Sequence, residues 1–222
     1  MRLDAPVICL VTDRARLGAG DEGFDAIRRR LVQVARDAVQ AGVDLIQVRE
    51  RDLETAGLFD LVGEILGVAR GSSTRVIVND RLDVALAAGA DGVHLRSDSV
   101  APRLVRTMVP DRFLVGRSVH DAGEAREHAS SVDYLVAGTL FPTPSKPTAT
   151  RWLGVSGLTE LVRAVRVPVL AIGGMTVERA AQVAAAGAAG VAAIGLFVPG
   201  GGRMAETVDA VRREFDTVRA AS

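Results

Sequence analysis

Short runs of β-branched and aliphatic residues recur along the chain, each followed by a longer amphipathic or alanine-rich stretch, and this alternation sets the expected architecture. Strands are expected at 7–11, 45–48, 76–78, 92–95, 113–115, 134–137, 169–172 and 191–194. Helices are expected at 24–40, 53–69, 81–88, 102–109, 123–129, 155–165, 177–186 and 204–218. Most of the strands are apolar throughout, as befits a parallel sheet whose faces are covered by crossover helices. Ala41-Gly42-Val43-Asp44, Ala88-Gly89-Ala90-Asp91 and Ala186-Gly187-Ala188-Ala189 form a weak internal repeat, each between a helix and the next strand. Glycine just past a helix end supplies the left-handed residue that closes the last turn, so the repeats read as helix-to-strand corners. The longest irregular stretch, 139–154, falls inside the alternation, and residues 1–222 are expected to form one domain. Eight βα units predict an α/β fold, a single (β/α)8 TIM barrel. A doubly wound open sheet would carry a glycine fingerprint after its first strand, where this chain has Thr12-Asp13-Arg14-Ala15-Arg16-Leu17-Gly18.

Composition narrows the function classes. The 222 residues carry 27 Lys+Arg and 27 Asp+Glu, a formal net charge of zero, which argues against nucleic acid or an acidic membrane surface as partner. The single Cys9 excludes an intrachain disulfide framework and a multi-cysteine zinc site, and points to a cytoplasmic protein. Residues 183–198 are apolar but carry Gly187, Gly190 and Gly195 and end at Pro199, and 5–11 is shorter than a signal-peptide core, so no membrane or export segment is expected.

In such a barrel the chemistry lies at the C-terminal rim. Gln47, Arg49 and Arg51 follow the second strand at a spacing of two, which puts all three on one side if the strand continues. Asn79 and Asp80 follow the third, His94 the fourth, Ser118 and His120 the fifth, and Thr139 and Thr143-Pro144-Ser145-Lys146 the sixth. The seventh and eighth end in Gly173-Gly174 and Ile194-Gly195, loops whose open backbone N–H groups suit a phosphate. Thr143, Ser145 and Lys146, held stiff by prolines, form a candidate second anion site. With Arg49 and Arg51 at the same mouth, a diphosphate fits, and a diphosphate commonly brings Mg2+, for which Asp80 is the best-placed rim carboxylate. His120 is the stronger acid/base candidate and His94 the weaker. Cys9, Trp152 and Tyr134 read as packing residues.

Six segments occur together in order. They are Ile46-Gln47-Val48-Arg49-Glu50-Arg51, Val78-Asn79-Asp80-Arg81-Leu82-Asp83, Gly89-Ala90-Asp91-Gly92-Val93-His94-Leu95, Gly116-Arg117-Ser118-Val119-His120, Phe141-Pro142-Thr143-Pro144-Ser145-Lys146-Pro147 and Ala171-Ile172-Gly173-Gly174-Met175-Thr176. In order and spacing the chain resembles the thiamine phosphate synthase/TenI family over about residues 7–198. The synthase branch implies that a hydroxymethylpyrimidine diphosphate loses pyrophosphate and that a thiazole phosphate nitrogen captures the resulting cation. By this resemblance Gln47 to Arg51 and Asn79 would hold the pyrimidine diphosphate, and Asp80 would bind Mg2+. Ser118, Ser145 and Lys146 would contact pyrophosphate or thiazole, Thr143 the thiazole, and Gly174 with Ile194 and Gly195 the thiazole phosphate, while Gly173 is expected to bind substrate as part of the same glycine loop. Arg49, Lys146 and His120 are the expected catalytic residues. The expected partners are small phosphorylated substrates, and a homodimer is left open.

The chain departs from the synthase pattern at several positions. His94-Leu95-Arg96-Ser97-Asp98-Ser99 stands where the synthases usually read His-x-Gly-Gln-x-Asp, so Ser99 occupies the second metal-ligand position and Asp98 lies one residue early. Arg51 replaces the usual lysine, and Gly195 the usual serine. Arg51 and Arg117 look more like TenI, whose characterised members tautomerise a thiazole carboxylate phosphate through the histidine that His120 matches, without metal. The synthase is the leading reading, with that tautomerase, a non-catalytic regulator that binds a thiamine intermediate, and an unrelated phosphosugar isomerase as alternatives.

Overall fold

The computed structural model describes residues 3–17, 23–143, 152–197 and 203–221. The strands are β1 (Val7–Val11), β2 (Leu45–Val48), β3 (Arg75–Asn79), β4 (Gly92–Leu95), β5 (Leu114–Val119), β6 (Tyr134–Ala137), β7 (Val169–Ile172) and β8 (Gly190–Ala193). They pair in parallel and in chain order, and β8 closes on β1 with Val7 beside Gly190 and Leu10 beside Ala193. The helices α1 (Phe24–Gln40), α2 (Thr55–Ala69), α3 (Leu82–Ala88), α4 (Pro102–Arg106), α5 (Ala122–His128), α6 (Gly154–Ala164), α7 (Val177–Ala185) and α8 (Met204–Ala220) alternate with them. This is the expected (β/α)8 barrel. The described part of the apolar stretch, 183–197, is divided between the end of α7, a corner, β8 and the rim, and no helix among the described residues is long and apolar enough to cross a membrane.

The main boundary correction falls on β5. Its apolar run stops at Val115, but pairing continues through Arg117 beside Leu95 and Val119 beside Ala137. Gly116, Arg117 and Ser118 broke the apolar signal without breaking the ladder, so Ser118 lies within the strand. At the other end of the size range, α4 stops at Arg106 instead of continuing to 109.

Alternate strand residues point to opposite faces. Val7, Cys9, Val11, Leu45, Ile77, Leu114, Tyr134, Val136 and Leu170 pack together inside the ring, while Ile8, Leu10, Ile46, Val76, Val78, Val93, Val115 and Leu135 meet the helices outside it. Cys9 is buried there, and burial pushes its thiol up to about 12, consistent with a packing role.

The repeat before the strands carries more than corners. Gly42, Gly89 and Gly187 do take φ values of 74, 71 and 87°. In addition, Asp44, Asp91 and Asp133 stand immediately before β2, β4 and β6. Their carboxylates accept from the backbone N–H of Ile8 at 2.7 Å, Val76 at 2.8 Å and Val115 at 2.7 Å on the preceding strands. Each also faces an arginine, Arg212 at 3.0 Å, Arg75 at 3.9 Å and Arg106 respectively. Ala189 fills the corresponding place before β8. The carboxylates therefore fix the stagger of β1–β2, β3–β4 and β5–β6. Asp133→Ala leaves the Val115 N–H without its acceptor and the Arg106 guanidinium, which keeps its bonds to Ser131 O and Phe113 O, without its counter-ion, and is expected to lower the unfolding free energy by about 1–3 kcal/mol. Denaturant titration measures this, and an unchanged midpoint would contradict the assigned role.

Candidate active site

Toward the C-terminal ends of the strands the inward positions turn polar, and the ring opens into a cavity of about 410 Å³. Its floor is Val11, Val136, Ile172 and Ala192. Gln47, Arg49 and Arg51 all line it, so the spacing of two does place them on one side. The opposite parity sends Glu50 into a buried position, where its carboxylate accepts from Thr12 Oγ1 at 2.7 Å and Arg14 N–H at 3.1 Å. Burial raises the Glu50 pKa, against the lowering effect of these bonds and of the Arg14 charge. Thr12 Oγ1 in turn accepts from the Arg49 N–H at 2.9 Å, which ties the Arg49 backbone to the first loop.

One wall is a buried chain of polar groups. His94 Nδ1 lies 3.2 Å from the Tyr134 hydroxyl, and its Nε2 lies 2.9 Å from Ser118 Oγ. Tyr134 reaches this place because Gly116 faces it: a Cβ on Gly116 would sit 2.1 Å from the ring. Burial, reinforced by the nearby Arg117 charge, pushes the His94 pKa down to about 3, so the ring is neutral. A neutral imidazole has one donor and one acceptor, so one hydroxyl donates to it and the other accepts from it. His94 thus orients Ser118 at the cavity wall. His120 sits above it with its side chain 44% exposed, its Nδ1 3.3 Å from Glu124 Oε2, and it borders the cavity.

At the rim of β2 to β4 the charges converge. Arg49, Arg51 and Arg96 all line the cavity. Burial first, then repulsion from Arg51 and Arg96, lowers the pKa of Arg49 against the opposing attraction of Asp13 and Glu50. Asp80 lies in a smaller adjoining cleft of about 110 Å³, which shares Arg51, Asn79 and Arg96 with the main cavity. Asp80 takes a left-handed φ of 65°, held by its N–H donating to His94 O at 2.9 Å. Its Oδ1 accepts from Ser99 Oγ, and its Oδ2 lies 3.5 Å from Arg96 Nη1. Arg96 Nη2 also donates to Asp98 Oδ2 at 2.5 Å.

Across the ring stand the loops of β7 and β8. Gly173, Gly174, Ile194 and Gly195 line the cavity as expected, with Thr143 beside them. Gly174 has a φ of 63°, and a Cβ there would lie 2.6 Å from Pro142 O, so the close turn requires glycine. Arg179 Nη1 donates to Gly174 O, and its guanidinium lies 4.5 Å from the centroid of the Phe141 ring. At Gly195 the space a side chain would fill is bordered by Arg16 Nη1, 3.1 Å from a built Cβ. Ser145 and Lys146 lie outside the described residues.

Comparison with known proteins gives the family. The thiamine monophosphate synthase family pattern matches residues 10–197. The chain belongs to that family. It is 38% identical over 193 residues to the thiamine-phosphate synthase of Roseiflexus castenholzii, covering 86% of this chain and 81% of that one. It is 42% identical over 199 residues to the thiamine-phosphate synthase of Methanoregula boonei, covering 89% and 87%. The thiamine phosphate pyrophosphorylase of Pyrococcus furiosus superposes with a TM-score of 0.78 at 29% identity, over 96% of both chains.

The family resemblance implies Mg2+ on Asp80, and the donor set there does not fit it. Both Asp80 oxygens are engaged, one by the Ser99 hydroxyl and one by Arg96, and Asp98 is taken up by the same guanidinium. A dication on Asp80 would find Ser99 in place of a second carboxylate and would be repelled by the guanidinium already facing it. No cluster of three or more His, Cys, Asp or Glu side chains able to hold a metal ion occurs among the described residues. Tyr134, Arg16, Arg96 and Arg179 are the site residues that sequence motifs did not assign. Two of them had a signal: Arg96 stands in the run that departs from the synthase pattern, which left open whether it enters the pocket or points outward, and it borders the cavity; Tyr134 stands opposite the bare Gly116 at a bulky inward position.

Because folding lowers the His94 pKa, the unfolded chain binds a proton that the folded chain does not between about pH 6.5 and pH 3. The stability this histidine supports is complete above its unfolded pKa and is lost as pH falls, by up to about 1.4 kcal/mol per pH unit. Denaturant titrations from about pH 7.5 to pH 4 should show a shallower loss for His94→Gln than for the parent. Superimposable profiles would contradict a buried neutral His94.

Proposed function

We propose that this chain is a cytoplasmic thiamine phosphate synthase, which joins hydroxymethylpyrimidine diphosphate to thiazole phosphate and releases pyrophosphate. The observation that carries this reading is the pairing of two anion-binding walls across one apolar-floored cavity. Arg49, Arg51 and Arg96 stand at the rim of β2 to β4, and the glycine loops with Arg16 and Arg179 stand at the rim of β7, β8 and β1. In a ring of eight, β3 and β4 face β7 and β8. A diphosphate on one wall and a monophosphate on the other would bring the two heterocycles together over Val136 and Ile172.

In the reaction the C–O bond between the pyrimidine methylene and the diphosphate breaks heterolytically, and its electron pair leaves with the diphosphate oxygen. The thiazole nitrogen lone pair then forms the C–N bond, leaving a thiazolium. These steps balance without a proton transfer, so the principal task is to stabilise charge on the leaving group. Arg49 and Arg51, with Lys146 from the loop after β6, serve that task. Gln47 and Asn79 hydrogen-bond the pyrimidine, Ser118, held by His94, and Thr143 line the cavity where the two rings meet, and Ser145 would contact pyrophosphate or thiazole as the family resemblance implies. Gly173, Gly174, Ile194 and Gly195 hold the thiazole phosphate through backbone N–H groups. His120 lies at the mouth and would be the proton shuttle of the alternative tautomerase.

The test incubates the protein with both substrates and Mg2+ and follows thiamine phosphate and pyrophosphate. The two products are expected in equal amounts, with kcat/KM lowered about 10²–10³-fold in Arg49→Ala. No thiamine phosphate from folded protein would overturn the reading, and turnover of a thiazole carboxylate phosphate lost in His120→Ala would put the tautomerase in its place.

A further inference from the structure

We infer that the Arg96 guanidinium, braced between Asp80 and Asp98, is the fixed cation of the diphosphate subsite and takes the place of a metal ion there. The inference rests on the synthase reading, which puts a departing diphosphate at this side of the mouth.

Arg96 is held by a closed circuit of bonds. Its side chain bridges Asp98 at 2.5 Å and Asp80 at 3.5 Å. Its backbone N–H donates to Ser99 Oγ at 2.8 Å, and the Ser99 hydroxyl donates onward to Asp80. Arg117, pointing outward from β5 and buried, fastens the same loop through Ser97 O at 2.8 Å and Val100 O at 3.1 Å. The loop that carries Arg96 is therefore anchored at both ends of its turn.

The placement suits an anion. Arg96 borders both the main cavity and the Asp80 cleft, as does Arg51, and its charge is felt at Arg49. Three guanidiniums facing one mouth repel each other until a multivalent anion lies between them. Two carboxylates cannot use all five N–H donors of a guanidinium, and those left over can serve diphosphate oxygens bidentately. Asp98 is 65% exposed on its side chain and borders neither cavity, so its part is to orient Arg96. In the bond-breaking step Arg96 would donate hydrogen bonds to the oxygens on which negative charge accumulates, with no change in its own protonation.

The experiment measures calorimetric binding of inorganic pyrophosphate to the full chain in excess chelator and again in excess Mg2+, with Arg96→Gln and Arg96→Lys alongside. Thiamine phosphate formation is followed under the same two conditions. Pyrophosphate is expected to bind the parent in chelator, about 10- to 100-fold more weakly in Arg96→Gln, with Arg96→Lys between them. Binding that requires Mg2+, binding equal in parent and Arg96→Gln, or no binding in either condition would overturn the inference. Should Arg96→Gln fail to fold, Arg96→Lys and the chelator comparison still decide. The two readings fail differently. Thiamine phosphate formed only with Mg2+, together with Mg2+-dependent pyrophosphate binding, sinks the role of Arg96 and leaves the synthase standing. Metal-free pyrophosphate binding lost in Arg96→Gln, without thiamine phosphate in either condition, does the reverse.

Discussion

Closing eight strands into a ring forces every second side chain onto the barrel axis, where neighbours from the other strands compete for the same volume. The site depends on how this chain meets that constraint. At the N-terminal ends the inward places hold Val7, Cys9, Leu45, Ile77, Leu114 and Leu170, which fill the ring. One or two steps along, the same parity delivers Gln47, Asn79, His94 and Ser118, and the ring opens. Where Tyr134 enters, Gly116 gives up its side chain, and the phenol that results fixes His94 and through it Ser118. The polar wall is thus a product of packing as much as of hydrogen bonding.

Charge is distributed around the rim with equal economy. The carboxylates at the other end of the barrel, Asp44, Asp91 and Asp133, are spent on strand stagger and on Arg212, Arg75 and Arg106. At the active end, Glu50 is buried in service of the first loop, and Asp80 and Asp98 hold Arg96. Among the described residues that border the main cavity, the permanently charged side chains are all arginines, Arg16, Arg49, Arg51, Arg96 and Arg179, a set suited to phosphoryl groups. A chain with no net charge can still present such a surface because its opposite charges are sorted by depth and by end.

The barrel and much of the site were legible in the sequence because both rest on short-range periodicity. Gln47, Arg49 and Arg51 share a face through their spacing alone, and Gly173, Gly174 and Gly195 fall at strand ends that hydropathy marks. Features that depend on two loops meeting were not legible. No spacing relates Arg16 to Gly195 or Arg179 to Phe141, and the direction of Arg96 is set by Asp80, 16 places earlier, once β3 and β4 are paired. The strand β5 was read short because its inward residues are Gly116 and Ser118, the ones the site requires. Asp44 and Asp91 were visible in the repeat and Asp133 was not, and the bonds of all three to the preceding strand follow only from the closed sheet.

The central claim is that two anion-binding walls face each other across one cavity. A crystal structure of the protein with thiamine phosphate and pyrophosphate tests it most directly. The account predicts the phosphate of thiamine phosphate against Gly174 and Gly195, and pyrophosphate between Arg49, Arg51 and Arg96. Both anions on one wall, or thiamine phosphate bound outside the cavity, would contradict it.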